Sequence, residues 1–247
     1  MQAFWLAHED LPREAPGSEA TTRLLLRLAG PLPAEPAVLD VGCGTGPASI
    51  LLAQLTGGRV TAVDRHEPFL ARLARRAEAA GVADRVRTLA ASMERLPVEP
   101  GSVDLLWAEG SAYLMGFDAA LAAWRPLLGP GGVVVLTEAE WITPNPAAGA
   151  RAFWDAGYPQ MRSTAGNVAA LQAAGWEIVA SYLLPESDWA QYYGPLGRRI
   201  DELREKGLPA VLLDQVGEEI GVRARYGGDY SYTGYVLRPR GWQHQRS

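Results

Sequence analysis

The segment Val38-Leu39-Asp40-Val41-Gly42-Cys43-Gly44-Thr45-Gly46 constrains this chain more than any other. A short apolar run ends in three glycines at alternate positions, and an apolar helical stretch opens at Pro47. This is the pattern of a strand, a tight turn and a helix. Glycine lets the backbone turn sharply and lets a ligand press against bare main chain. The helix start points free N–H groups at the same place, and proline is tolerated there because the first turn lacks N–H partners anyway. The plain alternative is an ordinary strand–helix turn. Asp64 weighs against it: this acid closes the next strand-like run, 18 residues after Gly46, where a carboxylate suits a ribose hydroxyl pair.

The same rhythm continues along the chain. Apolar runs at 37–41, 59–64, 85–90, 103–108 and 133–138 alternate with helical patterns at 47–55, 68–80 and 118–128. Strands separated by helices of this length imply βαβ units and a parallel sheet, and near-continuous Val/Leu/Ala runs fit strands buried on both faces. The Gly129-Pro130-Gly131-Gly132 turn stops the third of these helices. Later helices are expected at 147–157 and 164–174, a sixth strand at 176–184 and a last one at 230–237. Residues 1–17 read as an irregular lead-in, followed by a helix at 18–28 that Ser18 caps. The expected organisation is a lead-in and helix over 1–36, then one domain over 37–247 with a helical insert at about 185–228.

Composition narrows the partners. With 23 basic and 28 acidic residues the 247-residue chain carries −5, so the basic footprint of a nucleic-acid binder is missing. A single cysteine, Cys43, allows no intrachain disulfide, which fits a reducing cytoplasm. No apolar stretch approaches a membrane span, and the charged start does not read as a signal peptide. His8, His66 and His244 lie far apart, and no Cys or His pair has zinc spacing. Glu138 and Glu140 share a strand face, but a third metal ligand is missing, so no metal is assigned.

A dinucleotide site would use Gly-x-Gly-x-x-Gly. Here the spacing is Gly42-x-Gly44-x-Gly46, and Asp40 precedes the first glycine by two. A carboxylate there repels a pyrophosphate and receives an ammonium group. The implied ligand has a ribose at one end and a cationic amino acid at the other.

At these residues the chain resembles the class I S-adenosylmethionine-dependent methyltransferases. Asp40–Gly46 looks like their first motif and Asp64 like their ribose-binding acid. Ala91-Ser92-Met93-Glu94-Arg95-Leu96-Pro97 looks like their adenine-holding segment, with Ser92 where many relatives carry Asp. Leu127-Leu128-Gly129-Pro130-Gly131-Gly132 looks like the turn into their fifth strand. The resemblance covers about residues 35–140, and the Glu109-Gly110-Ser111 loop is similar to small-molecule enzymes near the quinone-biosynthesis branch. It implies an α/β, Rossmann-like, doubly wound fold: a mostly parallel seven-stranded sheet with an antiparallel final strand and a helical insert. It also implies S-adenosyl-L-methionine as donor and S-adenosyl-L-homocysteine as product. Asp40, Gly42, Cys43, Gly44, Gly46, Asp64, Arg65, Ser92, Met93 and Glu109 would hold the donor.

Glu109, Tyr113, Glu138 and Trp141 are the candidates for the acceptor side and for catalysis. Glu109 follows the fourth strand, where open α/β sheets place ligands; its plain reading is a hydrogen-bonded loop acid. Cys43 has no histidine near it in sequence and reads as a small filler rather than a nucleophile. Among the aromatics, Phe4 and Trp5 are candidates for a lid and Trp189 and Tyr193 for the pocket wall, the rest for core. The expected acceptor is a small molecule, with no nucleic acid or membrane partner, and the protein a cytoplasmic monomer or homodimer. The rival readings are a cofactor-binding protein without catalysis and a nicotinamide-dependent oxidoreductase.

Overall fold

The structure, a computed structural model, describes residues 2–9 and 11–241, and only the backbone of Gln2 and Ala3. His244 lies outside the described residues. Seven strands form one sheet: β1 (Ala37–Val41), β2 (Arg59–Asp64), β3 (Val86–Ala90), β4 (Val103–Glu109), β5 (Leu128–Trp141), β6 (Trp176–Leu183) and β7 (Tyr230–Pro239). Their order is β3-β2-β1-β4-β5-β7-β6. The first five pair in parallel, while β7 runs antiparallel to both β5 and β6.

Nine α-helices accompany these strands among the described residues: α1 (Gln2–His8), α2 (Glu19–Leu28), α3 (Pro47–Thr56), α4 (Glu67–Ala79), α5 (Phe117–Trp124), α6 (Ala148–Gly157), α7 (Thr164–Ala173), α8 (Glu186–Glu205) and α9 (Ala210–Tyr226). The last two form the insert between β6 and β7.

Alternation along the strands builds a core on each face of the sheet. Leu39, Leu106 and Val134 pack with Phe117, Trp124, Leu171 and Trp176. Their neighbours Val38, Leu105, Val133 and Val135 pack with Leu25, Leu52 and Trp107 on the other face. The order in which the chain adds strands reverses between the parallel neighbours β1 and β4, which opens a crevice at their carboxyl ends.

Three boundaries differ from expectation. The lead-in is not wholly irregular, because residues 2–8 form α1. A helix this short has little stability alone; here Ala7 and Leu11 are buried against Tyr192, Leu196, Ile200 and Leu213 of α8 and α9. The helix expected at 118–128 ends at Trp124, and a 3-10 turn follows over Arg125–Leu127, where Pro126 cannot continue the α-helical ladder. The Gly129–Gly132 stretch lies within β5 rather than before it, as an irregularity between the pairs Val103↔Leu128 and Leu105↔Val133. A Cβ on Gly129 would stand 2.8 Å from the Gly101 carbonyl oxygen, and one on Gly132 2.9 Å from that of Val103.

Candidate active site

The loop after β1 is fixed by its own backbone. The N–H groups of Gly42 and Cys43 both donate to the Val63 carbonyl, at 2.8 and 2.9 Å. Gly42 and Gly44 have φ of +74° and +52°, a region that favours glycine. The approach is close: a Cβ on Gly42 would lie 2.4 Å from the Ser111 Cβ. Asp64, at the end of β2, closes the arrangement. One of its oxygens accepts from the Gly44 N–H at 2.9 Å and the other from the His66 N–H at 2.8 Å.

A cavity of about 430 Å³ lies over this loop. Asp40, Gly42, Cys43, Gly44, Asp64, Arg65, Met93, Glu109 and Tyr113 all line it. The sequence motifs thus converge on one chamber. Asp40 is 2% exposed, and burial pushes its carboxyl up to about 7 even though the Ser49 hydroxyl donates to it. The negative charges of Glu109 and Asp64 push in the same direction. Cys43 is buried, and its thiol is raised well above the ordinary range, first by burial and then by Asp40 and Asp64.

Glu109 is a wall residue whose carboxylate is occupied. The Trp107 Nε1–H and Thr22 Oγ1–H donate to Oε1 at 3.0 and 2.7 Å, and Arg13 donates to Oε2 at 2.9 Å. Three donors thus occupy its two oxygens. They also tie the segment before α2 to the end of β4.

Four expected site residues fall outside the cavity wall. Gly46 is structural: with φ +77°, a Cβ there would come within 1.9 Å of Leu73 Cδ1. Ser92 turns back on its own chain, where its hydroxyl accepts from the Glu94 N–H at 3.4 Å, while Ala91 and Met93 face the cavity. Glu138 is 1% exposed beside Tyr158, with its carboxyl pushed up to about 8 by burial, and neither oxygen has a hydrogen-bond partner among the described residues. Glu140 shares that face but is bound by Asn167 Nδ2, at 2.7 Å, and by the Tyr235 hydroxyl. Trp141 belongs to an aromatic core with Tyr158, Trp189, Tyr230 and Tyr232, and Arg151 stands over its ring at 5.2 Å. Trp189 is likewise core, 1% exposed with Arg223 at 3.9 Å over its ring.

Phe4 and Trp5, the candidates for a lid, line the cavity, and Trp5 stacks on His66 with ring centroids 3.8 Å apart. The residues that sequence reasoning missed are His8, Arg13, Glu14, Tyr192 and Glu219, all in the wall. They come from α1, the following segment, α8 and α9, and no local motif marks any of them.

Comparisons with known proteins agree with this geometry. A family described as "Methyltransferase domain" matches residues 38–132. The chain is 33% identical over 232 residues to 27-O-demethylrifamycin SV methyltransferase of Amycolatopsis mediterranei, covering 89% of this chain and 82% of that one. It is 35% identical over 125 residues to dimethylglycine N-methyltransferase of Parasynechococcus marenigrum, which is 50% of this chain and 45% of the relative. A methyltransferase from Geobacter sulfurreducens solved with S-adenosyl-L-homocysteine superimposes with TM-score 0.86 at 21% identity, covering 97% of this chain and 98% of that one. The chain belongs to the class I S-adenosylmethionine-dependent methyltransferases. It is an enzyme, and S-adenosyl-L-methionine is its methyl donor.

Proposed function

We propose that this enzyme transfers the methyl group to a small molecule held between the glycine loop and the helical insert. The observation that carries the reading is the placement of Asp40 and Asp64 on one cavity, on either side of a loop with bare backbone between them. The residues fit the donor. Asp64 is placed for ribose hydroxyls, Asp40 for the amino group, and Ala91 with Met93 for the adenine edge. A Cβ at Gly42 would meet Ser111, so only glycine lets the loop pack this closely against the turn after β4. Bound S-adenosylmethionine supplies an electrophilic methyl on a sulfonium.

What the protein has to add is alignment and exclusion of water, effects worth ~7–11 kcal/mol in well-oriented systems. The N-terminal wall supplies the second of these: Phe4, Trp5 and His8 cover the cavity, and Arg13 with Glu109 locks the segment behind them. Similarity to enzymes acting on a rifamycin and on dimethylglycine supports a small-molecule acceptor. In this reading the enzyme works in the cytoplasm, without nucleic acid, as a monomer or homodimer. The lone cysteine and the net charge of −5 support that setting. Among the described residues no helix is long and apolar enough to cross a membrane.

Calorimetric titration with S-adenosylmethionine, S-adenosylhomocysteine and NADH tests the reading. The first two should bind and the third should not. Binding of NADH alone would return the site to redox chemistry, and donor binding without turnover of any acceptor would leave a sensor.

A further inference from the structure

The donor motifs do not account for two of the cavity's carboxylates, Glu14 and Glu219. Glu219 lies on α9, far in sequence from the glycine loop, and lines the same chamber. Two phenols of α8 hold it: Tyr192 donates to Oε1 at 3.1 Å and Tyr193 to Oε2 at 3.5 Å. Tyr113, which follows β4, lines the chamber as well, and its phenol is pushed up in pKa by burial, then by the charge of Glu219. From β7, the buried Tyr232 also feels that charge. Glu219 is therefore set in a largely aromatic surround to which α8, α9, β7 and the turn after β4 all contribute.

The charge balance of this end of the chamber is unusual. Each of the other wall acids has a use or a partner. Asp64 binds two backbone N–H groups, Glu109 binds Arg13, and Glu14 binds His8 Nδ1 at 2.7 Å. Asp40 is placed for the donor's amino group. Among the described residues, the basic group that acts on Glu219 is His8, and Glu14 already engages it. Burial raises the Glu219 carboxyl, while the two phenols and His8 pull it back down. A carboxylate removed from water without an ion-pair partner of its own carries a desolvation cost that an incoming cation would relieve.

We infer that Glu219 is the acceptor-recognition group and that the acceptor is an amine, bound as its ammonium between the carboxylate and the faces of Tyr113 and Tyr192. The inference rests on the methyltransferase reading of the same cavity. An ammonium gains from the carboxylate charge and from the ring faces together, and a neutral hydroxyl of the same shape gains from neither. The carboxylate also serves the amine a second time. It would take the N–H proton of the bound ammonium, an O–H bond replacing the N–H bond, and the freed lone pair would form the N–CH3 bond as the S–CH3 bond of the donor breaks and S-adenosylhomocysteine leaves.

The test uses a permanent cation and its uncharged isostere, choline and 3,3-dimethylbutan-1-ol, titrated by NMR into the whole protein. Each is measured with and without saturating S-adenosylhomocysteine. Choline should bind about tenfold more tightly than the alcohol, the scale expected of a partly desolvated cation–π and charge site. Glu219→Gln should abolish that preference, Glu219→Asp should retain part of it, and both should bind S-adenosylhomocysteine within about twofold of the parent. Equal binding of the two isosteres by the unaltered protein overturns the inference, and this comparison decides even if Glu219→Gln does not fold. A preference that survives Glu219→Gln overturns it too. Failure of S-adenosylhomocysteine to bind strikes the methyltransferase reading instead, because the isostere comparison is read separately on the free protein.

Discussion

Between the end of β1 and the start of α4, the cavity wall is largely main chain, placed by left-handed glycines and by one aspartate that accepts two N–H groups. Across the chamber the wall is side chain: Phe4, Trp5 and His8 from α1, Arg13 and Glu14 from the segment after it, Tyr192 from α8 and Glu219 from α9. The contrast follows from what each half must recognise. In the proposed reading the donor is the one molecule S-adenosyl-L-methionine, and a fixed backbone cradle serves it. The acceptor differs between relatives, and side chains on peripheral helices can be exchanged without disturbing the sheet.

If that division holds, substitutions in the two halves should separate cleanly. The largest effect is expected for Gly46→Ala. The left-handed φ and a Cβ 1.9 Å from Leu73 Cδ1 leave no room for a methyl group. A loss of about 3 kcal/mol, read as a fall of roughly 6–12 °C in the thermal midpoint, is the expected scale for an overpacked and strained position. A fall under ~2 °C would mean that the donor half adapts as freely as the acceptor half.

Asp64→Ala comes next. It removes the acceptor for two loop N–H groups and, in the proposed reading, for the ribose, so affinity for S-adenosylhomocysteine should drop about a hundredfold by calorimetry. Choline binding at the other end should stay near the parent value, and a parallel loss there would break the division.

The pH dependence of donor-product binding sharpens it further. The Asp40 carboxyl sits at about 7, raised by burial. An ammonium ligand needs the ionised form, so binding releases a proton wherever Asp40 is protonated beforehand. Affinity should plateau above this pH and fall by up to about tenfold per unit below it. Asp40→Asn should lower the plateau and flatten the slope, whereas an unchanged slope would remove Asp40 from the amino-group site.

Glu138→Gln addresses a carboxyl that lies outside both halves. Its folded value of about 8 exceeds the ordinary 4.5. Its contribution to stability is therefore fully present below the ordinary value and is lost as pH rises through about 8. Urea melts at about pH 5 and about pH 9 should show a smaller loss in the variant than in the parent, with S-adenosylhomocysteine affinity unaltered. The smallest effect belongs to Ser92→Ala, which should change donor-product affinity by less than ~0.5 kcal/mol because its hydroxyl serves Glu94. A large loss would restore Ser92 to the adenine site.

The same division explains what could be read from the sequence. The strand–glycine–helix–acid order of 37–64 depends on local chemistry, so the loop, the parallel frame and the cavity positions of Asp40, Gly42, Gly44 and Asp64 were legible. Gly46 was legible as a required glycine, though its reason is Leu73 in α4 rather than a ligand. Glu138 and Trp141 were placed near the site because β5 ends on the right edge. Their side chains turn toward Tyr158 and the aromatic core, an outcome that the pairing with β7 and the packing of α6 decide. His8, Glu14 and Glu219 reach the chamber only through the docking of α1 on α8 and α9. Contacts spanning 200 residues leave no local pattern.

The bond between Arg13 and Glu109 has a practical side. It anchors the stretch of chain that leads from α1 to α2, and α1 itself forms part of the chamber roof. A purification handle is therefore better placed away from α1, because this helix carries part of the chamber wall.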